Sequence, residues 1–402
     1  MDNAVRESWS PVDNRRTVPE KGVEDTPARA SYAALTSGDD RAAAVERRNS
    51  EGIGVSDADQ SWDGGPVAAL RRIAFLLERA REDTYKVKAF RGAAATLLPM
   101  PEEEVRAAVE AGTLTDLPGV GASSARVIAD AVHGRMPERL ARLEEEYAGP
   151  VTAGGQELRA ALRGDLHSHS DWSDGGSPIE EMAFTAIELG HEYLVLTDHS
   201  PRLTVARGLS AERLTRQLGV VDAVNEHLAG AGFTLLKGIE VDILDDGGLD
   251  QTDELLDRLD VRVASVHSKL KMDADAMTRR MVGAIRNPRM NVLGHCTGRL
   301  VTGNRGTRPG SQFDARTVFE ACAEHDTAVE INSRPERRDP PTKLLELARD
   351  IGCLFSIDSD AHAPGQLDFL GYGCERAEQA GIDPDRIVNT WPKDRLLAWA
   401  KG

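Results

Sequence analysis

Residues 164–175 read Gly-Asp-Leu-His-Ser-His-Ser-Asp-Trp-Ser-Asp-Gly. If Asp165-Leu166-His167 ends a short strand, side chains alternate in direction, and His167 and His169 point the same way. Two imidazoles on one face, with Asp174 on the loop beyond, can begin a metal site. Taken alone, the stretch also fits a polar strand end with two solvated histidines. The rest of the chain has to decide.

Downstream, strand-like and helix-like segments alternate. Short strands are predicted near 165–167, 193–197, 233–241, 261–266, 291–294, 328–331 and 353–357, with helices at 178–189, 211–228, 275–285, 314–325 and 341–351. Strands joined by crossover helices imply a parallel sheet. Seven such strands suggest an α/β fold, a distorted (β/α)7 TIM-like barrel, with a doubly wound open sheet as runner-up. Nearly every strand delivers a metal-binding residue type at its C-terminal end, where active sites of such barrels form. These are His167 and His169, then Asp198 and His199, Glu240, His267, His295, Glu330 with Asn332, and Asp358, Asp360 and His362.

Neutral imidazoles mixed with carboxylates suit zinc, manganese or iron. The candidates exceed what one ion needs, so two or three divalent ions are expected. Such clusters clamp phosphate oxygens and activate a water, which points to phosphoester hydrolysis. Lys269, Arg299 and Arg334 each follow a candidate ligand by a few residues and can reach substrate oxygens; Arg202 is a weaker candidate. His191, His227 and His325 lie within helix patterns and read as surface or packing residues.

The 402 residues carry a formal net charge of −17, which argues against general affinity for nucleic acid or anionic membrane but leaves local basic surfaces open. No apolar run approaches the roughly 20 residues needed to span a bilayer, and no signal-peptide core is evident. The four cysteines, Cys296, Cys322, Cys353 and Cys374, show no Cys-x-x-Cys spacing and read as reduced thiols of a cytoplasmic protein. Residues 1–60 read as a disordered tail, with only a short helix conceivable at 41–48.

Between 64 and 148 lies a small all-α region with Pro66 at a first helical position. Leu117-Pro118-Gly119-Val120-Gly121 turns into a helix beginning near Ser123. Gly119 and Gly121 allow a tight turn, and the following helix offers free N–H groups to a DNA phosphate. Lys86, Lys88 and Arg91 favour nucleic acid, while Glu102–Glu104 and Glu144–Glu146 offset them. Binding should therefore be modest and salt-dependent. Residues 149–163 read as a linker to the barrel domain at 164–402.

Two resemblances follow from these motifs. Residues 68–146, through the run 85–91 and the hairpin, resemble the small N-terminal helix-hairpin-helix domain of family X DNA polymerases. In some members a lysine after the hairpin serves a lyase activity. Here the helix Ala-Ser-Ser-Ala-Arg-Val-Ile-Ala-Asp has none, and Arg126 cannot replace an amine nucleophile. The motifs Asp-Leu-His-Ser-His-Ser, Leu-Thr-Asp-His-Ser, Gly-Ile-Glu-Val-Asp, Ser-Val-His-Ser, Gly-His-Cys-Thr-Gly-Arg and Asp-Ser-Asp-Ala-His resemble those of the PHP (polymerase and histidinol phosphatase) superfamily, most of all its C-terminal domain in bacterial family X polymerases.

That resemblance implies one metal at His167, His169, Glu240 and Asp360. A second would share Glu240 and add His267 and His295, and a third would take Asp174, His199 and His362. Cys296 stands where relatives tend to have proline and reads as a neutral filler. Fewer than twenty residues separate Glu146 from Asp165, too few for a polymerase palm, so no polymerase activity is expected. The implied function is a metal-dependent phosphoesterase on DNA ends, a 3′–5′ exonuclease or 3′-phosphatase in DNA repair. A small-molecule phosphatase of the histidinol-phosphatase type is the alternative, and a DNA-binding scaffold with a structural metal core is a third.

Overall fold

The computed structural model describes residues 61–303 and 306–402. The expected tail, including the helix considered at 41–48, lies outside them. The described chain opens with five helices: α1 (Gly65–Arg79), α2 (Thr84–Leu97), α3 (Glu102–Ala111), α4 (Ala122–Val132) and α5 (Glu138–Tyr147). Leu70, Ile73, Leu76 and Leu77 of α1 recur at helical spacing and pack against Phe90, Leu97, Ile128 and Leu140 in one core. Pro66 sits in the first turn of α1, and Gly112 ends α3 in the left-handed conformation. The turn before α4 carries Gly119 at φ +73°, and the Gly121 N–H donates to Ser124 Oγ at 3.0 Å.

After a short α6 (Gln156–Ala161) comes the barrel: β1 (Gly164–Ser168), α7 (Ile179–Glu188), β2 (Tyr193–Leu196), α8 (Ala211–His227), β3 (Thr234–Asp242), α9 (Asp253–Leu256), β4 (Val261–Ser265), α10 (Ala274–Ile285), β5 (Val292–Leu293), α11 (Ala315–Glu324), β6 (Ala328–Asn332), α12 (Thr342–Ile351) and β7 (Phe355–Asp358). Helices α13 (Leu370–Gln379) and α14 (Lys393–Lys401) follow. The seven strands run in the order β1-β2-β3-β4-β5-β6-β7, all neighbours parallel. The (β/α)7 expectation holds; the open doubly wound sheet does not, because its strand order would reverse partway across.

The gap between β7 and β1 is bridged mainly by side chains. Asn389 donates through Nδ2 to Gly164 O (3.2 Å) and Ile357 O (2.9 Å), and its Oδ1 accepts from Ile357 N at 2.8 Å. Asp165 accepts from Ser359 N, and Asp358 accepts from Leu166 N. These two buried carboxylates are pushed up, Asp165 to about 7 and Asp358 to about 6, first by loss of water and then by neighbouring negative charge.

The sheet's inner face is apolar toward one end. Leu166, Val195, Leu236, Val263, Val292 and Ala328 pack with Val388, Trp391, Leu396 and Ala400 from the C-terminal segment. Because side chains repeat every second residue, the same face continues from Leu236 to Glu240, from Val263 to His267 and from Ala328 to Glu330. The floor is therefore oily and the rim at the strand C-termini carries the chemistry.

Candidate metal centre

The rim gathers His167, His169, His199, His267, His295 and His362 around Glu240. Neighbouring imidazole centroids are 4.3 Å apart for His169 and His362, 4.5 Å for His169 and His199, 5.2 Å for His199 and His267, and 5.3 Å for His267 and His295. Glu240 Oε1 lies 2.9 Å from His295 Nε2 and 3.1 Å from His267 Nε2. Its Oε2 lies 2.9 Å from His199 Nδ1, 3.3 Å from His167 Nε2 and 3.5 Å from His169 Nε2. Asp360 Oδ1 is 3.5 Å from His169 Nε2, and Asp174 Oδ1 is 3.4 Å from His199 Nε2 and 3.3 Å from His362 Nε2. All nine sequence-expected ligands come together.

The His-x-His alternation works as read: His167 and His169 both aim Nε2 at Glu240 Oε2. Across Leu166 and His167 β1 bulges, advancing from Asp165 to Ser168 while β2 advances only from Leu194 to Leu196. The bulge re-aims the end of the strand. Asp360 adopts a left-handed backbone at φ +50°, which aspartate tolerates.

Three groups of atoms lie mutually within 4.8 Å: His169, Asp174, His199 and His362; His167, His169 and Asp360; and His199, Glu240 and His267. The grouping differs from the resemblance in several respects. His199 and His169 are each shared between two groups, Glu240 falls outside the group of His167, His169 and Asp360, and His295 is in none of them, although its Nε2 lies 2.9 Å from Glu240 Oε1. The ligands form one continuous cluster.

The donor set fits divalent cations on two observations. His167 Nε2, His169 Nδ1 and Nε2, His199 Nδ1, His267 Nε2, His295 Nδ1 and Nε2, and both oxygens of Glu240 are buried without a hydrogen bond of proper geometry. Leaving such groups unsatisfied is costly, whereas a cation among them would satisfy both imidazole lone pairs and carboxylate. The second observation is charge. Burial would raise Glu240, but His267, His199 and His167 hold it well below the carboxylate range. Burial would lower His167, yet Glu240 and Glu330 carry it well above the usual imidazole value. Against the same burial, Glu240 and Asp174 raise His199 to about 10. Burial beside His362 and His199 drives His169 down. The carboxylates demand positive charge here, from protons or from metal.

Several partners orient this first ring of residues. Glu330 Oε1 accepts from His167 Nδ1 at 2.6 Å and Asp242 Oδ1 from His267 Nδ1 at 2.5 Å, leaving each Nε2 free to face inward. Asp198, buried, accepts from Ser170 N, Ser170 Oγ, Ser173 Oγ and Gln217 Nε2, and so holds the loop that presents Asp174. Asp339 plays the same part for the loop after His295, accepting from Thr297 N and Oγ1. Cys296 is buried, 3.9 Å from Asp339 Oδ1, and its thiol is pushed well up by burial, in keeping with a filler.

Of the expected cations, Arg334 reaches the cluster, with Nη1 donating to Asp360 O at 3.0 Å. Arg337, not singled out in the sequence, donates from Nε to Asp360 Oδ2 at 3.0 Å. Arg299 turns away and donates to the carbonyls of Arg337 and Arg338. Lys269 is 61% exposed and pairs with Asp245. Arg202 is exposed, 3.8 Å from the same carboxylate.

In the helical domain Lys86 and Lys88 are exposed, Lys86 pairing with Glu82 at 2.7 Å. Tyr85 beside them is 84% exposed. Arg91 instead points into the seam with the barrel, bidentate on Glu78 and paired with Glu181, because those acids are the nearest buried charges.

Comparison with known proteins agrees with this layout. The PHP domain family matches residues 165–334, and the helix-hairpin-helix domain family matches residues 66–135. The barrel continues past the first match, since β7 with Asp360 and His362 lies beyond residue 334. The DNA polymerase/3′-5′ exonuclease PolX of Bacillus subtilis is 38% identical over 228 residues, covering 57% of this chain and 39% of that protein. The chain thus spans well under half the length of that relative. A protein described as "Probable phosphatase" from Thermoanaerobacter sp. is 28% identical over 237 residues, 56% of this chain and 89% of its own. A solved histidinol phosphate phosphatase from Lactococcus lactis is 18% identical with a TM-score of 0.41, over 55% of this chain and 95% of that one. No described helix is long and apolar enough to cross a membrane. The chain carries a PHP domain on its barrel and, ahead of it, a helix-hairpin-helix domain.

Proposed function

We propose that this protein is a metal-dependent phosphoester hydrolase that acts on DNA ends, as a 3′–5′ exonuclease or a 3′-phosphatase. The observation that carries the hydrolase reading is the set of buried, unbonded imidazole nitrogens and carboxylate oxygens around Glu240. His167, His169, Glu240 and Asp360 would hold one divalent ion, Glu240, His267 and His295 a second, and Asp174, His199 and His362 a third. Zinc and manganese suit that mixture, with iron a further option. Such ions, when bound, polarise a phosphoryl oxygen and lower the pKa of water.

The protein's own residues do the rest. Glu330 and Asp242 hold Nδ1 of His167 and His267, so that Nε2 of each faces the centre, where a cation would take the place of its proton. Arg334 and Arg337 set positive charge beside Asp360, where the charge on a phosphate's non-bridging oxygens can be met. Lys269, exposed and paired with Asp245, would have to exchange that carboxylate for a substrate phosphate. DNA is preferred because a helix-hairpin-helix domain is docked on this barrel and presents Gly119, Gly121, Lys86 and Lys88 to solvent.

Full-length protein loaded with Mn²⁺ should release nucleotide or phosphate from labelled 3′-recessed or gapped duplexes, and His169→Ala should not. No release from any DNA end, with ions shown to be bound, would sink the DNA reading. A second reading, a small-molecule phosphatase, draws on the phosphatase relatives whose length the barrel nearly spans. It expects turnover of histidinol phosphate that charge reversal at Lys86 and Lys88 leaves unchanged.

A further inference from the structure

The helical domain meets the barrel at the segment that carries His362. Gly365 lies against the last turns of α1 so closely that a Cβ there would sit 2.3 Å from Phe75 O and 2.7 Å from Glu78 Cβ. Only glycine admits that approach. The Gly365 N–H donates to Glu78 Oε2 at 2.7 Å, and the same carboxylate takes Arg91 through two bonds of 2.8 and 3.0 Å. Next in α1, Arg79 Nε donates to Asp368 Oδ2 at 2.6 Å. From the other side Arg81 Nη2 pairs with Glu336 at 2.9 Å. Glu336 lies 3.8 Å from Arg334 Nε, and Arg334 Nη1 touches Asp360 O and, at 2.9 Å, His362 Nδ1.

His362 needs such support. The side chains of His167, His169, Glu240 and Asp360 are at most 1% exposed, whereas His362 and Asp174 are 19% and 36% exposed. The His362 backbone is tied to Gln366 Oε1 through its N–H and to Gly176 N through its carbonyl, so the two exposed residues share one loop contact. Within the barrel, Asp198 anchors the Asp174 loop, and Arg334 Nη1 and Asp360 O each lie 2.9 Å from His362 Nδ1; the end of α1 adds the hold on the Gly365 backbone three residues on.

We infer that the end of α1 is a working part of the metal centre: Glu78 is a positioning residue that holds the Gly365 backbone and thereby sets His362, and with it Asp174, for the outermost cation. This rests on the reading of His362 as a metal ligand. It makes the helical domain a support for the centre and not only a carrier of DNA.

The test counts Mn²⁺ per full-length chain after equilibration with limiting free metal and gel filtration. Unaltered protein and His362→Ala define the ion that His362 holds. Glu78→Ala and Gly365→Ala should weaken that ion about 10–100-fold, the range found for outer-shell partners of metal ligands. Glu78→Ala should add no further loss on top of His362→Ala. Glu78→Gln, which still offers an acceptor to Gly365 N, should restore much of the binding. Arg71→Ala removes a different seam contact, on Glu181, and leaves Arg91 with its two bonds to Glu78 and Glu78 with Gly365, so it should keep every ion. Should Glu78→Ala fail to fold, Asp368→Asn, a milder change on the same face, should show the same selective weakening. Full metal content in folded Glu78→Ala or Asp368→Asn with only a lowered Tm, or equal metal loss in Arg71→Ala, overturns the proposal. If unaltered protein binds no Mn²⁺, or His362→Ala loses none, the underlying reading of the centre fails instead.

Discussion

Two kinds of buried histidine occur in this molecule. The rim histidines lie at strand ends among carboxylates. His191 lies between α7 and β2, 5% exposed, with neither ring nitrogen hydrogen-bonded. By burial and missing partners alone the two are indistinguishable. They differ in the charge around them. His191 has burial and Arg159 against it and falls to about 3, so it stays neutral. His199, as deeply placed, has Glu240 and Asp174 beside it and rises to about 10. An orphaned imidazole is therefore no sign of a metal site on its own. Imidazoles converging with carboxylates are.

The sharpest way to break that contrast is to remove the shared carboxylate. Glu240→Gln should cost metal content outright and reduce phosphoester hydrolysis by more than about 100-fold, beyond what outer partners cost. Metal analysis of the purified variant checks the first part. Retention of all ions would show that the imidazoles suffice without Glu240. Next in size, Glu330→Gln and Asp242→Asn free the tautomers of His167 and His267. Each should weaken metal binding about 10–100-fold with little change in fold, measurable by competition with a chelator.

These two partners mark the limit of what the sequence shows. Strand positions, their alternation with helices and the His, Asp and Glu residues at the strand ends are legible, because a period of two and residue type at strand ends depend only on local order; the choice of nine candidate ligands, Asp174 on its loop included, comes with the family resemblance. Glu330 and Asp358 stand at strand ends exactly as ligands do, yet one orients His167 and the other closes the β7–β1 gap with Asn389. Which carboxylate touches metal and which touches a ligand depends on barrel radius and stagger, and neither is written in spacing. Arg91 and Arg337 were unreadable for the same reason. Arg91 looks like a free cation on an exposed helix until the barrel supplies Glu181. Arg337 looks like part of a basic surface run until the turn after β6 folds it over Asp360.

His191 gives a smaller, opposite effect in stability. Its folded pKa, about 3, lies below the ordinary value near 6.5, so the unfolded chain binds the proton more readily. Its neutral form supports the fold fully above pH 6.5, and that support is lost as pH falls toward 3. Between pH 7 and 5 the loss should be about 2 kcal/mol. Urea unfolding at those two pH values should show it in metal-stripped protein, and His191→Leu should flatten it. An unchanged pH dependence in that variant would show that the ring finds water or a partner when protonated.

The smallest expected effect lies in the helical domain, where exposed charge is worth little alone. Lys86 and Lys88 are solvent-facing and Lys86 already pairs with Glu82, and the chain as a whole is strongly acidic. Contacts to a DNA backbone therefore have to be few. Each phosphate neutralised steepens the fall of log affinity with log salt by about 0.9 for duplex DNA. Lys86→Ala with Lys88→Ala should reduce that slope by about two and weaken binding alike on any sequence, since backbone contacts carry no base readout. Binding to a labelled gapped duplex between low and moderate salt measures it. A slope unchanged by both substitutions would move the DNA face off α2, leaving the glycine turn before α4 to hold the phosphate without side-chain cations.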